Sequence, residues 1–174
     1  MTGHQASRDS IPGPGLAPVI GDNPEILILG SYPSVQSIAK GEYYGNPQNR
    51  FWTVLEACRG IPCELPYAAR ISRLREQRIA LWDVVRSCIR EGSLDTAIRH
   101  PFMNDIGGLL AAHPTIRAIA FNGTAAGHYY SALRIPAAGD HTIIVLPSTS
   151  PANARIPLAE KIRRWDAALN SPHQ

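Results

Sequence analysis

Four short, mostly apolar runs, each separated from the next by stretches with helical spacing, set the strongest limit on how this chain can fold. They are residues 25–29 (EILIL), 79–85 (IALWDVV), 117–121 (RAIAF) and Thr142–Leu146 (TIIVL). Each has the length of a strand rather than a helix, and the first, apolar almost throughout and ending at Gly30, reads as a buried strand. Between them, residues 47–58, 66–77, 103–112, 124–133 and 157–169 read as helices. In the first, Asn46 suits the N-cap and Pro47 the first turn, with Phe51, Trp52 and Leu55 on one apolar face. In the second, Pro66 opens the helix and Tyr67, Ile71 and Leu74 face inward. Strands that alternate with helices pair in parallel through right-handed crossovers. The expected architecture is α/β, a three-layer α/β/α sandwich around a central four-stranded, mainly parallel sheet.

The chain has 174 residues, 44% hydrophobic and 18% charged, which suits one compact domain with a core of its own. The Gly- and Pro-bearing lead-in predicts a flexible tail over 1–15 and a single domain over 16–174. No apolar run reaches the ~20 residues of a membrane span, and the N-terminus lacks the layout of a secretory signal. Cys58, Cys63 and Cys88 are an odd count, too few for a disulfide framework or for a four-thiolate metal cluster. The expected setting is the cytoplasm, without a membrane partner. The six histidines show no paired ligand spacing, so neither metal nor other cofactor is expected. The formal net charge is +3, and 15 of the 17 cations are Arg. Arg suits phosphate through its planar fork, although GC-rich coding enriches Arg as well.

Ligands of such sheets bind beyond the carboxyl ends of the strands. The residues that follow each run are Gly30-Ser31-Tyr32-Pro33-Ser34, Trp82-Asp83, Asn122-Gly123-Thr124 and 147–153 (PSTSPAN). The first loop continues to Tyr43-Tyr44-Gly45-Asn46-Pro47-Gln48-Asn49-Arg50-Phe51-Trp52. Two tyrosines beside amide side chains supply a stacking plane and hydrogen-bonding groups, the needs of a site that reads a flat heterocycle. Asn46 is an N-cap or an anion-facing group. Asn49 has no helix-favouring reason for its place. Asp83, the one carboxylate at a strand end, is a proton donor if burial raises its pKa, or else a cap or ion pair. The hydroxyl-rich 147–153 loop is able to approach phosphate oxygens closely.

These blocks, in this order, resemble the uracil-DNA glycosylase superfamily, and within it the DNA-deoxyinosine (hypoxanthine-DNA) glycosylase family. Trp82-Asp83-Val84-Val85, Glu91-Gly92-Ser93-Leu94-Asp95 and Phe121-Asn122-Gly123 look like the same branch. The resemblance implies that Tyr44 stacks on an extruded base and that Asn49 is catalytic, orienting water or bonding the departing base. Asp83 is the second catalytic candidate. Ser31, Tyr32, Asn46 and Asn122 are expected to line the base pocket. Lys40, Arg50, Ser148, Thr149, Ser150, Asn153 and Arg155 are expected along the DNA. The implied substrate is double-stranded DNA carrying a deaminated base, with single-stranded DNA as a second candidate, and a monomer is expected. The sequence departs from the superfamily pattern at Tyr32, where many members carry a water-positioning Asp or Asn, and at Leu146, where His or Asn begins the last motif. Two alternatives therefore stand beside hypoxanthine removal: a uracil or mismatch glycosylase, and a non-catalytic module that grips damaged DNA.

Overall fold

The computed structural model describes residues 14–135 and 140–171. Its elements are β1 (Ile26–Gly30), α1 (Val35–Lys40), α2 (Phe51–Arg59), α3 (Tyr67–Glu76), β2 (Ile79–Asp83), β3 (Val85–Ile89), a 3-10 turn (Asp95–Ala97), β4 (Arg99–Met103), α4 (Ile106–Ala112), β5 (Ala118–Asn122), α5 (Thr124–Ala132), β6 (Thr142–Leu146) and α6 (Leu158–Asn170).

The central sheet has the order β2-β1-β5-β6, and every neighbouring pair is parallel. Strand residues alternate between the two faces. Ile26, Ile28, Ile79, Leu81, Ala118 and Ala120 pack with Phe51, Trp52 and Leu55 of α2, Leu74 of α3 and Trp165 of α6. Leu27, Leu29, Ala80, Ile119 and Phe121 pack on the other face with Ile106, Leu109 and Leu110 of α4 and Ala126 of α5. The result is the expected three-layer sandwich. Each large apolar side chain so buried contributes about 1.5–3 kcal/mol relative to exposure. The outer edge of β2 is covered at its middle, where Val19 and Leu81 exchange backbone hydrogen bonds.

Local chemistry differs from the sequence expectation in three places. The run 79–85 is not one strand. The Val84 and Val85 N–H groups donate to Gly30 and Ser31 carbonyls, both at 2.9 Å, and the chain leaves the sheet to form an antiparallel ribbon of β3 and β4. The helix expected from Pro47 begins instead at Phe51, with Arg50 as N-cap. Asn46 does not cap it; its Oδ1 accepts from the Gln48 N–H at 2.9 Å in a local turn. Helix amides are therefore not presented over 46–48. The expected tail lies mostly outside the described residues, and at its end the Gly15 N–H donates to the Arg86 carbonyl at 2.7 Å.

Candidate active site

Register places the strand ends in line. Gly30 pairs with Asp83 and Asn122 with Leu146, so the loops after β1, β2, β5 and β6 leave one edge of the sheet. There they enclose a cavity of about 280 Å³ lined by Ser31, Tyr32, Tyr44, Asn46, Asn49, Asp83 and Asn122, by Ser148 and Ser150, expected along the DNA, and by Ser93, Leu94 and Asp95. A second hollow of about 480 Å³ adjoins it and shares Ser93, Leu94, Asp95, Ser148 and Ser150. Concave, partly apolar space with a few converging polar groups is the usual form of a small-ligand site.

Asp83 forms part of the wall. It is 5% exposed, and its Oδ2 is buried without a hydrogen-bond partner among the described residues. Gly30 makes room for it, since a Cβ at that position would collide with Asp83 Oδ1. Burial pushes the Asp83 pKa up to about 7; the Asp95 charge adds to the rise and Arg90 opposes it. Arg90 lies over the Tyr32 ring, 4.7 Å from its centroid, and donates to the Pro33 carbonyl at 2.5 Å.

Tyr44 is stacked on Phe51, with centroids 3.8 Å apart and planes 18° apart. Its backbone is left-handed, φ 55°, an uncommon conformation for a bulky residue. Its hydroxyl shares a hydrogen bond with the Asn122 amide, and burial raises its pKa. Tyr43, the neighbouring alternative for stacking, is a core residue, 4% exposed, whose hydroxyl donates to the Ala17 carbonyl at 3.0 Å.

Asn49 precedes α2 rather than sitting inside it. Its Oδ1 accepts from the Phe51 N–H at 2.9 Å, which occupies the oxygen locally and leaves the Nδ2 donor for a ligand. Asn122 is similarly committed: its Oδ1 accepts from Thr149 N and its Nδ2 donates to Thr149 Oγ1, both at 2.9 Å. Thr149, expected on the DNA, is 0% exposed. It ties three segments together, because its carbonyl also accepts from the Arg50 N–H at 3.0 Å. A fully buried threonine that bonds Asn122 through both its hydroxyl and its backbone N–H is a structural tie and not a phosphate contact.

Of the remaining expected DNA residues, Ser148 and Ser150 line the cavity, whereas Lys40, Arg50, Asn153 and Arg155 do not. Lys40, Arg50 and Arg155 are exposed; Lys40 Nζ also donates to the Gly45 carbonyl at 2.7 Å. Asn153 borders the second hollow, and its Nδ2 donates to the Ser148 carbonyl at 3.1 Å. Beneath it, buried Lys161 donates to the Asn153 carbonyl at 2.8 Å, its pKa lowered by burial and by Arg50.

Sequence reasoning assigned no role to Asp95, Arg90 or Gly30. Asp95 arrives from the loop beyond β3, and the Ser31 hydroxyl donates to its Oδ1. The available signal was the Glu91-Gly92-Ser93-Leu94-Asp95 block, which the family resemblance included without a role for Asp95. Among the described residues, no group of three or more His, Cys, Asp or Glu converges as a metal requires, and no helix is long and apolar enough to cross a membrane.

A family model described as the uracil DNA glycosylase superfamily matches residues 17–168. The chain belongs to the uracil-DNA glycosylase superfamily. Within that superfamily it is 42% identical over 156 residues to a protein of Methanosarcina acetivorans named hypoxanthine DNA glycosylase, covering 89% of this chain and 96% of that one. A protein of the same name from Methanosarcina barkeri is 42% identical over 142 residues, covering 81% and 88%. A solution NMR structure of a Methanosarcina acetivorans chain, named as a candidate uracil DNA glycosylase, superposes with a TM-score of 0.77 at 40% identity, covering 89% of this chain and 94% of that one. The superfamily assignment accounts for the convergence of all four strand-end loops on one cavity.

Proposed function

We propose that this chain is a monofunctional DNA glycosylase that extrudes a deaminated purine, hypoxanthine, from duplex DNA and hydrolyses its N-glycosidic bond, leaving an abasic site. The observation that carries this reading is Asp83: a buried carboxyl with a pKa of about 7 and one oxygen unpartnered, in the wall of a base-sized cavity. A purine leaving group offers ring nitrogens that accept a proton as the bond breaks, whereas uracil has no such nitrogen and leaves as an anion. A carboxylic acid held neutral near pH 7 therefore suits the purine. The two relatives named hypoxanthine DNA glycosylase support the same choice.

Extrusion costs a few kcal/mol, and least for a mismatched base. Stacking on the free face of Tyr44 returns about 1–3 kcal/mol. Asn49, its oxygen held by Phe51, presents Nδ2 to the base as negative charge develops, a preorganised donor. Ser148, Ser150 and the surrounding Lys40, Arg50 and Arg155 supply the sequence-independent grip on phosphate. Residues 16–174 act as one catalytic domain, a monomer that works in the cytoplasm.

The test is incubation with labelled duplexes and single strands containing hypoxanthine, uracil or xanthine, followed by alkali. Strand breakage at hypoxanthine in the duplex is the expected result. Breakage at uracil alone would establish the uracil enzyme, and binding without breakage the non-catalytic module.

A further inference from the structure

Hydrolysis needs a group that takes a proton from the attacking water, and the place where many superfamily members carry that group holds Tyr32 here. The structure offers a replacement from a different segment. Three asparagines line the cavity, and each already gives its side-chain oxygen to a backbone N–H: Asn46 to Gln48, Asn49 to Phe51 and Asn122 to Thr149. A neutral amide is in any case too weak a base to accept a proton from water. Two carboxylates remain among the described lining residues, Asp83 and Asp95. Two carboxyls that share one site do not ionise alike. Asp83, with Oδ2 buried and without a hydrogen-bond partner among the described residues, is the nearly inaccessible member and keeps its proton. Asp95 accepts from the Ser31 hydroxyl and remains in contact with solvent; this hydrogen bond and Arg90 favour its anion, against the net rise in its pKa that burial causes.

We propose that Asp95, fixed by Ser31, orients the hydrolytic water and accepts its proton. This inference rests on the hypoxanthine reading and completes its chemistry. The water oxygen bonds to C1′ as the C1′–N9 bond breaks, and the electron pair of that bond stays on the base. Asp83 delivers its proton to N7 of the departing purine, and Asp95 takes one from the water. Return of that proton from Asp95 to Asp83 through solvent resets the pair, so one water is consumed and nothing else.

The charges coupled to Asp95 are those of Asp83 and Arg90. Tyr44, Tyr129 and Cys88, which also feel it, are held neutral by burial. Burial raises the Asp95 pKa, while the Ser31 hydroxyl and Arg90 draw it down.

Asp95→Asn keeps an acceptor for Ser31 and removes only the charge. In single-turnover assays on a hypoxanthine duplex, the expected loss is about 10²–10⁴ in the chemical rate, with duplex affinity preserved and the acidic limb of the pH profile abolished. Ser31→Ala is expected to lower the rate, because Asp95 loses the group that fixes it, and to move that limb to higher pH. A rate within about threefold of wild type in Asp95→Asn would overturn the proposal, as would a loss that leaves the acidic limb in place. A wild-type protein inert on hypoxanthine would instead refute the substrate reading beneath it, so the two failures are distinct.

Discussion

Tyr44 rests one face of its ring on Phe51, 3.8 Å between centroids, which leaves the opposite face as its only stacking surface. Phe51 is itself 0% exposed and meets Trp165 edge to face at 5.9 Å. The proposed stacking platform is therefore an outward extension of the core, held by Phe51 and Trp165. Tyr44→Ala is expected to weaken binding of the hypoxanthine duplex by the about 1–3 kcal/mol of one base stack. Tyr44→Phe loses only the Asn122 hydrogen bond and should lose much less. Titration of both variants against a fluorescent duplex checks the ranking.

Asn49→Ala is expected to lower the excision rate by about 10²–10³, the usual cost of one preorganised donor, while duplex affinity stays near wild type. Asn49→Asp can still accept from the Phe51 N–H but puts negative charge where a donor stood. It should be at least as inactive as the alanine variant. Substantial activity in Asn49→Asp would mean that the residue works through its oxygen.

With Asp83 in its proposed role as proton donor, excision is expected to fall as pH rises through about 7. Asp83→Asn should abolish that basic limb together with most of the rate. The same residue carries a stability signature of opposite benefit. Its folded pKa is about 7 against an ordinary 3.8. Between those values the folded chain holds a proton that the unfolded chain has lost, so stability falls as pH rises across that window and levels off above it. Thermal melts of wild type and Asp83→Asn should agree near pH 3.5 and diverge toward pH 8, with the variant the more stable.

Thr149→Val removes the hydroxyl that pairs with Asn122 and leaves the Asn122 amide short of an acceptor in a buried place. A destabilisation of about 1–3 kcal/mol is expected, measurable by urea unfolding. Activity should fall too, because the 147–153 loop and the start of α2 share that anchor.

DNA affinity is expected to decline linearly with log salt concentration. Arg155→Ala should weaken binding equally for damaged and undamaged duplexes and reduce the slope by about one. A loss confined to damaged duplexes would place Arg155 at the base rather than at phosphate.

The parts of the fold that follow apolar periodicity were legible in the sequence: β6 begins and ends at Thr142 and Leu146 as the TIIVL run predicts, and α3 and α6 differ from expectation only at their ends. What escaped was decided elsewhere in the chain. Asn46-Pro47 has the composition of a helix start, but the Arg50 N–H is claimed by Thr149, a hundred residues away in sequence, and α2 begins later. The strand β4 (RHPFM) is exposed along most of its length, so it carries no alternating pattern. Strand-end reasoning reached Tyr44, Asn49, Asp83 and Asn122 because parallel strands share one carboxyl edge. It could not reach Asp95, which enters the cavity from beyond a ribbon that nothing in the sequence announced.

The sheet order β2-β1-β5-β6 has a kinetic consequence. Each of its pairings joins strands separated by a helix-bearing crossover, so no neighbouring pair can form as a local hairpin. Such non-local contacts make folding slow, since loop-closure entropy is lost before the contacts form. The cavity wall includes Ser148 and Ser150, just past the last strand to be synthesised. The cavity wall is therefore complete only once β6 has joined β5 at the edge of the sheet.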